Sequence, residues 1–198
     1  MPRFRHLLDK NGFLSSVLTD DLLSGSLEPS RVRAILEDVS CVVRGVAPEN
    51  GFITYVAPFT ESAIPLASID FLLSHSVLEH VSDLRESVGM LYQWLKPGAV
   101  MSHQFDLRSH GLTHSWDGHR AFGARAWGFV VGARPFLINR LPFAAIVNII
   151  ESSGFRILTA LRHHCEPTLS RSQLAEGWRD QPGEELSTDA GFIQAQKV

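Results

Sequence analysis

The sequence predicts an α/β domain built on a mostly parallel sheet, and three observations predict it. The run from Ile69 to Gly98 reads as a buried strand, a polar turn, an amphipathic helix and a Lys-Pro-Gly stop. Short apolar runs alternate with helical patterns along the rest of the chain, the order expected of crossover units. The 198 residues, 44% hydrophobic and 20% charged, suffice for one domain, residues 1–198, with a sizeable core.

Taken in order, Phe4 to Gly12 predicts a short helix and Val17 to Asp20 a strand with an acidic end. Pro29 to Val43 carries apolar residues at Val32, Ile35, Leu36, Val39, Val42 and Val43, an amphipathic helix with proline near its start. Cys41 lies in that pattern and is expected in the core. Phe52 to Val56 predicts a strand, and Asp70 to Ser74 another, apolar enough to be covered on both faces. Ser82 and Asp83 offer caps to a helix whose Leu84, Val88, Leu91 and Leu95 share one side. Pro97-Gly98 should end it, and Ala99 to Leu107 should form the next strand. Leu141 to Ser153 predicts a helix, Phe155 to Leu161 a strand, Ser170 to Trp178 a short helix and Gly191 to Gln196 a last strand. Residues 106–140 lack clean periodicity and read as an irregular insert over the sheet.

The net charge of −3 advertises no nucleic-acid partner. Two cysteines are too few for a disulfide framework, which suits a reducing, cytoplasmic setting. The longest apolar region, Ala126 to Ile150, is interrupted by Arg134, Asn139 and Arg140, whereas a membrane span needs about 20 largely unbroken apolar residues. No membrane partner is expected.

The motif Asp70-hydrophobics-Ser74-x-Ser76-Val77-Leu78-Glu79-His80-Val81, a helix, then Leu95-Lys96-Pro97-Gly98 resembles the second half of a class I S-adenosylmethionine-dependent methyltransferase. Pro65 through Asp70 resembles the approach to that family's fourth strand, Ser102 through Leu107 its fifth, and Gly191 through Lys197 its final strand. The resemblance runs from about Ser16 to the C-terminus. It implies a Rossmann-like methyltransferase fold, with a mostly parallel sheet and an antiparallel last strand. It also implies S-adenosylmethionine as cofactor and methyl transfer to a small or medium acceptor. The family's acidic-Gly-x-Gly-x-Gly turn has no counterpart here, since Gly12, Gly25, Gly45 and Gly51 are isolated. The expectation is therefore a truncated domain without its first strand and main cofactor loop. A fragment or mis-set start, a rearranged sheet, and a strand borrowed from a second copy or a partner chain all remain open.

Carried onto this sequence, the resemblance assigns cofactor contacts to Asp20, Asp21, Phe59 and Ser74. Asp20 or Asp21, at the C-terminal end of a predicted strand where open α/β sheets bind ligands, would hold the ribose hydroxyls. The alternative is that the pair caps the following segment. Phe59 would face the adenine, or else pack in its loop. Ser74 and His75 would flank the methyl group, with His75 suited by its intrinsic pKa to accept a proton or, alternatively, to satisfy backbone groups. Glu79-His80 reads as structural, favoured near a helix start. His103 is the second catalytic candidate, and Asp106, His110, Trp116 and Arg120 are the acceptor contacts.

Nine histidines invite a metal reading through His103, Asp106 and His110. Their spacing across a strand-to-loop junction does not put them on one side, so no metal is expected. The rival from another class is a non-catalytic methyltransferase-like protein that partners a complete enzyme.

Overall fold

The computed structural model describes residues 25, 27–57, 62, 64–134 and 136–198. The expected helix at Phe4 to Gly12 and strand at Val17 to Asp20 lie outside them. The chain divides into two compact units at residues 59 and 60.

In the first unit, α1 (Pro29–Val43) occupies the span its periodicity predicts, with proline at its start and the Glu28 carboxylate accepting from the N–H of Arg31 at 3.0 Å. Cys41 is half-buried rather than fully enclosed. The segment Phe52 to Val56 is not a strand. Its first N–H groups are taken by Asp38, which accepts from Asn50 (3.1 Å), Phe52 (2.7 Å) and Ile53 (3.2 Å). Burial pushes that carboxyl up, but these donors outweigh it and hold the pKa below its usual value. A strand needs a neighbour to accept its donors, and here a side chain has captured them.

The second unit carries β1 (Ile69–His75), a 3₁₀ turn at Leu78–His80, α2 (Leu84–Trp94), β2 (Leu95–Asp106), a 3₁₀ turn at Gly118–Ala121, α3 (Ala124–Val131), α4 (Phe143–Ser152), β3 (Phe155–His164), α5 (Glu176–Arg179), α6 (Gly183–Ser187) and β4 (Thr188–Lys197). Strand order is β1-β2-β4-β3. β1 and β2 are parallel, while β4 is antiparallel to both β2 and β3. Three strands thus share one direction and the last opposes them, as expected. Residues 106–140 contain regular pieces, the turn at Gly118–Ala121 and α3, where an irregular insert was predicted.

Helix α2 begins where Asp83 accepts from the N–H of Glu86 at 2.9 Å. It ends at Trp94, before the Lys-Pro-Gly stop, because Leu95 already pairs with Ile69 of β1. At its C-terminal end the Lys197 ammonium donates to the carbonyls of Tyr92 (2.6 Å) and Leu95 (2.9 Å), groups a helix leaves open. Gly154, at φ +96°, makes the turn from α4 to β3, and a Cβ there would stand 2.9 Å from the Tyr92 ring. Only glycine meets both demands.

The core lies on one face of the sheet. Met101, Phe105, Ile193 and Ala195 pack there under Val88 of α2 and Phe143, Ile146 and Ile150 of α4. Each large side chain so enclosed contributes roughly 1.5–3 kcal/mol. The opposite face includes Phe71 and Leu73, which are 56% and 69% exposed.

Candidate functional site

The C-terminal ends of β1 and β2 gather most of the described residues that the sequence singles out. In the parallel register Ser74 lies opposite His103, and His75 opposite Gln104. Successive strand residues point to opposite faces. Ser74 and His103 therefore face the core, while His75 faces the other way and is exposed. The structure brings Ser74 and His103 together, with 2.7 Å between Oγ and Nδ1, and separates His75 from both. Burial lowers the pKa of His103 to about 4, so its ring is neutral at physiological pH. Ser76, at φ +51°, turns the chain out of β1, a conformation that costs a non-glycine residue about 1 kcal/mol. Its N–H donates to the carbonyl of Gln104 at 3.0 Å, which ties the turn to β2.

The turn that follows is held from two sides. The Asn139 amide nitrogen donates to the carbonyls of Leu78 (2.9 Å) and Val81 (3.1 Å), and the Asn139 N–H donates to that of Glu79 (2.7 Å). Glu79 is buried: one carboxylate oxygen accepts from the N–H of Asp106 at 3.0 Å, and the other has no partner. The expectation that Glu79-His80 opens a helix is corrected, since it lies on the 3₁₀ turn and α2 starts at Leu84.

Asp106 and His110 do come together. The His110 Nε2 is 3.2 Å from the Asp106 carbonyl and 3.9 Å from its carboxylate, and the His110 ring stacks edgewise on His80 with centroids 4.7 Å apart. His103 is not part of this group. Glu79, His80 and His110 form a cluster that sequence reasoning missed, for no local spacing signals a contact across thirty residues.

Trp116 and Arg120 meet as well, in the framework of the insert. The Arg120 guanidinium lies 4.7 Å from the rings of both Trp116 and Trp178, and its terminal nitrogens donate to the carbonyls of Leu186 (2.6 Å) and Thr188 (2.8 Å). It is 2% exposed, and burial lowers its pKa to about 10. Beside it His119 is pushed down to about 3, by burial first and then by the Arg120 and Arg140 charges. Asp189 is buried with His163 at 2.6 Å and Arg108 at 2.8 Å. Burial alone would raise its pKa, and those two donors hold it below the usual carboxylate range. Asp20, Asp21 and Phe59 lie outside the described residues.

Residues 31–102 match the methyltransferase domain family. No curated protein matches the sequence. Among solved structures, an S-adenosylmethionine-dependent methyltransferase from Mesorhizobium loti superposes with a TM-score of 0.50 at 17% identity, over 81% of this chain and 77% of that one. A methyltransferase of the same description from Methanosarcina mazei gives 0.48 at 15% identity, over 86% and 79%. One described as a putative sarcosine dimethylglycine methyltransferase from Galdieria sulphuraria gives 0.48 at 14%, over 84% and 66%. At the Mesorhizobium protein's level of identity the likeness is one of fold. Residues 31–102 thus resemble the methyltransferase domain family, and the sheet is similar in fold to the Mesorhizobium protein.

Proposed function

We propose that the chain transfers a methyl group from S-adenosylmethionine to a small or medium acceptor at the C-terminal ends of β1 and β2. The observation that carries this is the methyltransferase-domain match across residues 31–102, whose second half folds as the parallel β1-α2-β2 unit. Bound there, the cofactor supplies an electrophilic methyl on a sulfonium cation. The residues at the mouth of β1 suit a cation, for the run Ser74 to Val81 offers hydroxyls and imidazoles, has its one carboxylate, Glu79, buried, and contains no lysine or arginine. Neutral His103 adds no positive charge beneath them.

Displacement at a methyl carbon asks the protein chiefly to align donor and acceptor and to take up a proton. His75, exposed at the strand end, is the base in this reading, and Ser74 is the group held by His103 at the floor. Asp20 or Asp21 holds the ribose and Phe59 the adenine, while Asp106 and His110 contact the acceptor.

The test is calorimetric titration of the full chain with S-adenosylhomocysteine, alongside Asp20→Ala and Asp21→Ala. Saturable binding, weakened about tenfold or more by one of the substitutions, supports the enzyme reading and justifies an acceptor screen. Absence of binding by a folded chain overturns it. A second reading, a non-catalytic partner protein, is favoured by the lack of any Gly-x-Gly run in the sequence and would then lead.

A further inference from the structure

We propose that Glu79, His80 and His110 form a divalent transition-metal site beyond the C-terminal ends of β1 and β2. One ligand atom from each of the three lies within 4.8 Å of the others, the one such group found among the described residues. Two features support reading it as a ligand set.

The first is the state of the two imidazoles. His80 Nδ1 is 2.8 Å from the carbonyl of Phe136, and His110 Nε2 is 3.2 Å from the carbonyl of Asp106. A carbonyl only accepts, so each of these nitrogens carries the proton. In a neutral ring the other nitrogen then holds a lone pair. Metal-binding histidines are oriented in this way, one nitrogen donating to a carbonyl and the other free for the ion. The second feature is Glu79. Its residue is 1% exposed, one oxygen is used by the Asp106 N–H, and the other is buried without a partner. A buried carboxylate oxygen with nothing to bond is costly, and a cation within reach removes that cost.

Two imidazoles and one carboxylate are the donors preferred by Zn²⁺ and its neighbours in the first transition row, and three protein ligands leave a coordination position open. With bonds of about 2.0–2.1 Å, tetrahedral ligand atoms stand roughly 3.3 Å apart. The cluster would therefore draw in by at most about 1.5 Å at its widest separation. His110 is the exposed member and so the one with room to adjust, while Glu79 and its turn are held by Asn139. The open position takes an oxygen donor, water or a hydroxyl or carboxylate of a bound small molecule. The proposal does not depend on methyl transfer, since the ion is bound by this chain's own side chains.

The experiment is titration of the untagged, metal-free full chain with Co²⁺ alone, followed by visible absorption, then displacement by Zn²⁺. The expected result is one equivalent of Co²⁺ per chain with visible d–d bands that Zn²⁺ abolishes. His80→Ala, His110→Ala and Glu79→Gln should each weaken binding by at least about tenfold, and His114→Ala should leave it unchanged. Glu79 is buried and its variant can fail to fold, but His110 is exposed, so His110→Ala with an unaltered circular dichroism spectrum keeps the test decisive. No saturable change in the folded chain, or binding that survives both histidine substitutions, would overturn the site.

Discussion

Ser74 Oγ and His103 Nδ1 are 2.7 Å apart across the parallel pair β1 and β2, in a core where the His103 Nε2 has no hydrogen-bond partner. Ser74→Ala removes it and leaves both ring nitrogens buried without a bond. The expected loss is about 1–3 kcal/mol, read from urea denaturation. A Ser74→Ala chain as stable as the parent would mean that the pair does not form.

Acid should destabilise this fold above the range where carboxylates titrate. The unfolded chain binds a proton at each histidine near pH 6.5, whereas folded His103 does so only near 4 and His119 near 3. Between those values the unfolded state holds more protons, so stability is full above about pH 6.5 and declines as pH falls toward 4. Each buried histidine contributes on the order of 3 kcal/mol or more to that decline. Asp117 and Asp189, held below the ordinary 3.8, contribute stability that is present above that value and lost only as pH falls further. Urea midpoints should hold from pH 7.5 to about 6.5 and then fall down to pH 4.5; a profile flat to pH 4.5 would contradict the burial of both rings.

Arg120 braces the insert against α6 and β4. Arg120→Lys keeps the charge but loses the planar fork that reaches two carbonyls and the stacking between two indoles. A loss of about 3 kcal/mol or more is expected, with a shift in tryptophan emission as Trp116 and Trp178 lose their shared partner. Full stability in the lysine variant would refute the brace.

Gly191 lies under the ring of Phe143, where a Cβ would stand 2.1 Å from Cε2. Phe143 is itself enclosed, with the Arg162 guanidinium 4.6 Å from its ring, so it has little room to yield. Gly191→Ala should cost about 1–3 kcal/mol by overpacking, measured as a lowered thermal midpoint.

His75→Ala should separate chemistry from binding. If His75 takes the acceptor's proton, turnover in methyl transfer drops about 10²–10⁴-fold while S-adenosylhomocysteine affinity holds. A fall in affinity with turnover unchanged would instead make His75 a cofactor contact.

Much of the fold was legible because its signals are local. The proline start and apolar spacing of α1, the Asp83 cap of α2, and the apolar run of β1 each act within a few residues, and each element appears where they indicate. The failures share one cause. Phe52 to Val56 has strand composition, yet a strand exists only through its neighbour, and Asp38 claimed the donors first. Lys96-Pro97-Gly98 reads as a helix stop, but the register of Leu95 with Ile69 ended α2 sooner.

By itself the sequence determined the α/β class, most element positions within the described residues and the resemblance of the Ser74 to Gly98 region to methyltransferases. Those follow from spacing, caps and motif along the chain. Only the tertiary structure decided which of the chemistry-bearing residues meet. Side-chain direction alternates along a strand, so Ser74 and His103 join while His75 turns away. Burial made Arg120 a brace, and the loops after β1 and β2 carried Glu79 and His80 to His110. Proximity between distant segments is set by sheet register and packing, which no local pattern encodes.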